Sequence, residues 1–173
     1  GCQKISWARM DKKIIIAGTG HRPKYCPCQY DRSHPWLINL KKRLENYLIE
    51  MGFGDARRII RSGGAIGWDT WIAQVALDLD LELHLYLPFP DQGKKWPAES
   101  FLECERIKEN ADVVNYVSDK YHPKAFHQRD IEMITGSDKV VSLLNPEVKS
   151  GGTYFTVQKA KEMNIHVINF WKD

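Results

Sequence analysis

Lys13-Ile14-Ile15-Ile16-Ala17-Gly18-Thr19-Gly20 joins a run of β-branched residues to a glycine turn, and the same arrangement returns twice. Arg57-Arg58-Ile59-Ile60 leads into Ser62-Gly63-Gly64-Ala65-Ile66-Gly67, and Lys139 to Leu144 leads, after a short loop, into Ser150-Gly151-Gly152-Thr153. Three consecutive isoleucines suit a strand buried on both faces of a parallel sheet. A glycine turn where a strand hands over to a helix leaves backbone N–H groups bare, which is where a phosphate can approach. Helix-like segments open after the second and third turns.

Working outward, the pattern predicts strands over about 13–18, 57–61, 81–87, 112–117, 139–144 and 165–170. Between them it predicts helices over 35–51, 68–79, 98–110, 124–135 and 152–163. Leu37, Leu40, Leu44, Leu48 and Met51 recur at helical spacing, with Pro35 in the first turn, Ser33 as a nearby cap, and Gly52 and Gly54 at the end. Strict β–α alternation without a hairpin signal predicts a single α/β domain: a doubly wound, mostly parallel sheet with helices on both faces. Ligands in such folds bind beyond the carboxyl ends of the strands, where all three turns fall. The domain is expected over 13–173. Residues 1–12 read as an N-terminal arm or a non-native remnant, with Met10 a natural start.

The chain has 173 residues, 43% of them hydrophobic, which is enough for one sizeable core. Twenty-five basic and 22 acidic residues leave a net charge of +3. Such near-balance gives no general attraction to nucleic acid, so a nucleic-acid partner is not expected and any basic site must be local. No apolar stretch approaches the ~20 residues that span a bilayer, so no membrane partner and a cytoplasmic setting are expected. The four cysteines, Cys2, Cys26, Cys28 and Cys104, lack a zinc spacing and read as free thiols in a reducing compartment. No metal is assigned, and His122 and His127 are badly spaced for one.

Several clusters carry chemistry. In Gly18-Thr19-Gly20-His21-Arg22-Pro23, Thr19 supplies a hydroxyl and Arg22 a fork for phosphate or carboxylate, while His21 suits proton transfer. In Ser62 to Asp69, the residues Ser62, Gly63, Gly64, Ala65 and Gly67 offer amides. Asp69 stands in a first helical turn, where an acid is also simply favoured by the dipole. Trp68 is a candidate for stacking on a base, as are Trp96 and Tyr154, although a tryptophan there also suits the core. Ser150, Gly151, Gly152 and Thr153 prepare an anion site or a plain cap. Arg129 either reaches the ligand or is a solvated helix charge, next to Asp130. The loop 88–97, with Lys94 and Lys95, reads as an ordinary long loop or part of a lid. Glu103-Cys104-Glu105-Arg106 reads as helix surface.

Taken in order, Gly18 to Pro23, Ser62 to Asp69, Trp96-Pro97, Ser118 to Tyr121, Arg129-Asp130, Ser137-Asp138 and Ser150 to Thr153 resemble the SLOG superfamily. This is the Rossmann-like group that includes DprA and the Lonely Guy phosphoribohydrolases, and the closest likeness is to its YpsA-like branch of bacteria and phages. The resemblance implies a nucleotide or ADP-ribose-like ligand held by the glycine turns, no required cofactor, and a homo-oligomer as in many members. In its N-glycosidases a glutamate follows the last glycine motif within three residues. Here Tyr154, Phe155 and Thr156 stand there, which favours holding a ligand over cleaving it. The alternative is a nucleoside 5′-monophosphate N-glycosidase or related nucleotide hydrolase, with Asp69, Asp130 and His21 as its candidates for acid–base work, and single-stranded DNA binding in the manner of DprA is a second alternative.

Overall fold

The computed structural model describes residues 12–51 and 57–172. The isoleucine run becomes β1 (Lys13–Gly20), followed by α1 (Pro35–Met51), β2 (Arg57–Ser62), α2 (Trp68–Asp78), β3 (Glu82–Leu87) and α3 (Ala98–Asn110). Then come β4 (Val113–Tyr116), α4 (Ala125–Ile134), β5 (Lys139–Leu143), α5 (Gly151–Glu162) and β6 (His166–Asn169). All strand pairs are parallel, in the order β4-β3-β2-β1-β5-β6. The sheet is thus doubly wound and single-domain, as the β–α alternation predicts. The proposed arm and the helix-ending role of Gly52 and Gly54 fall on residues outside those described, except for Lys12.

The strands alternate between two cores. Ile16, Ile60, Leu83, Leu85, Val141 and Leu143 share one cluster with Leu40, Leu44 and Leu48 of α1 and Ile72 and Ala76 of α2. Ala17 and Val140 turn the other way, towards Met133 and Ile134 of α4 and Ala160 of α5. Each large aliphatic side chain buried this way stabilises the fold by about 1.5–3 kcal/mol. Register is pinned at the amino edge by one device used twice. Asp138, just ahead of β5, accepts from Ile15 N at 2.8 Å and returns its own N–H to Ile15 O. Asp112, just ahead of β4, does the same with Leu83.

Two local expectations are corrected. Ser33 does not cap α1: its amide and hydroxyl both bond to Asp31, and Nδ1 of His34 accepts from Trp36 N at 3.0 Å instead. The segment 103–106 is not all surface, because Cys104 is buried and its thiol faces Gly64 O. The connection from β1 to α1 contains a short 3-10 turn, Pro23–Tyr25. No helix among the described residues is long and apolar enough to cross a membrane.

The connection α4 carries the chain from the β4 edge back across to β5, on the far side of β1. The chain therefore leaves β1 and β5 towards opposite faces, opening a crevice between them at their carboxyl ends.

Candidate functional site

The first glycine turn forms the floor of this crevice. Thr19 and Gly20 pair with Ser142 and Leu143 of β5, and His21 N extends the ladder to Leu143 O at 3.1 Å. Gly20 is required by packing, since a β-carbon there would lie 2.5 Å from Cβ and Cδ1 of Trp68. His21 is buried and its Nε2 accepts from Asn145 N at 2.9 Å, which places the ring proton on Nδ1. Burial lowers its pKa, so the imidazole stays neutral and ties β1 to the loop after β5.

The second turn is wired mostly to itself. Ser62 Oγ donates to Asp69 O at 2.7 Å and accepts from Gly64 N at 3.2 Å. Ala65 N donates to Asp69 Oδ2 at 3.3 Å, and Thr70 Oγ1 donates to Ala65 O at 2.8 Å. Gly67 adopts φ +98° and fits against His21 O, which accepts from Trp68 N at 3.2 Å. The amides of Gly64, Ala65 and Trp68 are therefore engaged. Trp68 is fully buried with its Nε1 donating to Val141 O at 3.1 Å, so stacking on a base is excluded for it.

Arg129 and Asp130 of α4 are buried, which sets aside the reading of Arg129 as a solvated helix charge. Arg129 Nε donates to Asp130 Oδ1 at 2.7 Å and its NH1 donates to Gly63 O at 2.5 Å. A β-carbon at Gly63 would come within 2.8 Å of both Arg129 NH1 and Asp69 Oδ2, so glycine lets the guanidinium reach this carbonyl. Burial pushes the Asp69 carboxyl up to about 6; Arg129 and the Ala65 amide oppose the rise, and Asp130 adds to it. A carboxyl titrating near neutrality in a cleft suits proton exchange or hydrogen-bond donation.

The third turn supplies an open helix start. Ser150 makes no side-chain cap bond to α5. The first-turn amides of such a helix have no partner within it. A β-carbon added at Gly152 would meet nothing nearer than Asp130 Oδ2, at 3.8 Å.

A cavity of about 220 Å³ joins these parts. Thr19, Gly20, His21 and Arg22 line it from the first turn, Ala65 and Asp69 from the second, and Gly152 and Thr153 from the third. From α4 come Arg129, Asp130 and Phe126, the last of which no sequence signal singles out. Gly18, Ser62, Gly63, Gly64, Gly67, Trp68, Ser150 and Gly151 support the site from behind or lie outside its lining. Tyr154 lines a different depression beside β6, and Trp96 covers Gly93 in the loop after β3. Among the described residues no three His, Cys, Asp or Glu side chains gather as metal ligands.

The chain is 27% identical over 155 residues to a UPF0398 protein of Bacillus cereus, covering 86% of this chain and 83% of that protein. It is 26% identical over 165 residues to the UPF0398 protein YpsA of Bacillus subtilis, covering 90% and 91%. In fold it is similar to DNA processing protein A of Helicobacter pylori (TM-score 0.63, 20% identity, 95% of this chain and 68% of that one), whose structure is described for its single-stranded DNA binding mode. That finding overturns the expectation against a nucleic-acid partner. The physical error is that net charge says nothing of distribution: Arg22, Lys94, Lys95, Lys120 and Lys124 all lie on loops at the carboxyl edge, beside Asp91 and Asp119. The family model for the YpsA (YspA SLOG) family matches residues 16–172, and the chain belongs to that family.

Proposed function

We propose that this chain binds a nucleotide-derived small molecule in the crevice between β1 and β5. The observation that carries the reading is the meeting of an uncapped helix start, Gly152-Thr153, with Arg22, Asp69 and Asp130 around one cavity at the topological switch point. Phosphate would sit on the α5 amides with Arg22 beside it, because Arg129 is already committed to Asp130 and Gly63. The second turn's engaged amides shape the wall instead of holding anion. With no glutamate after Gly152-Thr153, the reading is of a module that holds its ligand.

Calorimetry and thermal shift with mono-, di- and cyclic nucleotides and ADP-ribose test it. Saturable binding by at least one of them is expected, with no free base released on chromatography. No binding by any compound would overturn the reading. Released base that disappears in Asp69→Asn or Asp130→Asn would replace it with an N-glycosidase.

A second reading, single-stranded DNA binding, is supported by the fold shared with the H. pylori protein and by Tyr121, which is 67% exposed on a loop of the same edge. An exposed ring beside basic side chains is the stacking arrangement such binding uses. Binding of an oligothymidylate that weakens steeply with salt would favour this reading.

A further inference from the structure

We infer that the crevice is built to take a nucleoside phosphate, with Phe126 as the platform for its base; this rests on the nucleotide reading above and extends it. Phe126 and Asp130 are four residues apart on α4 and therefore lie one turn apart on one face, about 6 Å between β-carbons. Asp130 in turn borders Gly152 at the α5 start. Three chemistries thus follow one another across the cavity: an aromatic ring, a carboxylate and a set of helix-start amides. That is the order of base, ribose hydroxyls and phosphate in a nucleoside 5′-monophosphate. Arg129 occupies Oδ1 of Asp130, leaving Oδ2, the oxygen nearest Gly152, to accept from a sugar hydroxyl.

The ring is held in advance. Phe89, itself buried, meets Phe126 in a T-shaped contact at 5.5 Å and 86°. Phe89 is itself fixed between Pro88 and Pro90, and Ser118 N donates to Pro88 O at 3.0 Å. The Arg129 guanidinium stands over the Phe126 ring at 6.0 Å. A ring whose rotamer is set before binding loses little entropy when a base stacks on it. The rest of the lining is polar or glycine apart from Ala65, so Phe126 is the one ring, besides the engaged imidazole of His21, that the cavity offers a base.

The test compares the four common nucleoside 5′-monophosphates with ribose 5-phosphate by calorimetry, on the wild type, Phe126→Leu and Phe126→Tyr. The wild type is expected to bind at least one nucleotide about 5- to 150-fold more tightly than ribose 5-phosphate, the span of a base–aromatic stack. Phe126→Leu is expected to erase that difference without changing ribose 5-phosphate binding, and Phe126→Tyr to keep it. Equal wild-type affinity for ribose 5-phosphate and every nucleotide would overturn the inference while leaving the phosphate site standing, and needs no variant to fold. Equal weakening of both ligand types in Phe126→Leu, or no weakening, would also overturn it. Failure of the wild type to bind either type would remove the nucleotide reading itself, and this inference with it.

Discussion

Asp69→Asn is expected to make the protein more stable at neutral pH, because the fold holds this carboxylate at a cost. Burial raises the folded-state pKa of Asp69 from the usual 3.8 to about 6, even with Arg129 nearby. Between those values the folded chain retains a proton that the unfolded chain has released, so stability falls as pH rises through this window. The penalty is absent below 3.8 and complete above 6. A difference of about two pKa units at ~1.4 kcal/mol each gives about 3 kcal/mol in full. Between pH 4 and 7.5, about 2 kcal/mol of it develops.

Asparagine does not titrate and still offers an oxygen to Ala65 N, so the variant escapes this slope. Urea unfolding of both proteins, followed by tryptophan fluorescence, reads the effect. With a urea dependence of roughly 2 kcal/mol per molar for a domain of this size, the wild-type midpoint should fall about 1 M further than the variant's from pH 4 to pH 7.5. Parallel midpoints across that range would refute the argument. They would mean that Asp69 is not held near neutrality and is a poor candidate for a group kept for function at the expense of stability.

Gly20→Ala should destabilise the fold by about 1–3 kcal/mol, measured by the same unfolding, since the added carbon meets Trp68 at 2.5 Å. His21→Ala orphans Asn145 N and should cost about 1–3 kcal/mol, with faster hydrogen exchange at that amide. In the wild type, acidification below 6.5 should weaken the same tie: the His21 pKa is lowered on folding, so its contribution is complete above 6.5 and lost as pH falls towards the folded value. Burial pushes the Cys26 thiol up to about 12, so iodoacetamide at pH 8 should leave Cys26 unmodified in the native protein and label it after denaturation.

Strand and helix positions are legible in the sequence because each apolar run is punctuated by glycine, proline or a charged cluster. The wrong helix cap has a simple cause: Ser33 is a good cap by type, but Asp31 captures it and His34 is nearer the helix. The site was legible at its ends and obscure in its wiring. Sequence shows that Gly64 and Ala65 have amides but not that Ser62 and Asp69 already occupy them. Trp68 follows a glycine turn, as a stacking residue would, yet the helix phase turns it into the core. Phe126 carries no local signal. Its relevance arises only when α4 crosses the sheet and sets it one turn from Asp130.

The central claim is that ligand phosphate rests on the open start of α5. Calorimetric titration of the wild type and Gly152→Ala with the nucleotide panel tests it most directly. The added methyl has room in the fold, its nearest neighbour being Asp130 Oδ2 at 3.8 Å, so the thermal midpoint should not fall. It would stand where the phosphate approaches, and affinity for any nucleotide the wild type binds should fall about tenfold or more. Unchanged nucleotide affinity in a normally folded Gly152→Ala protein would contradict the account.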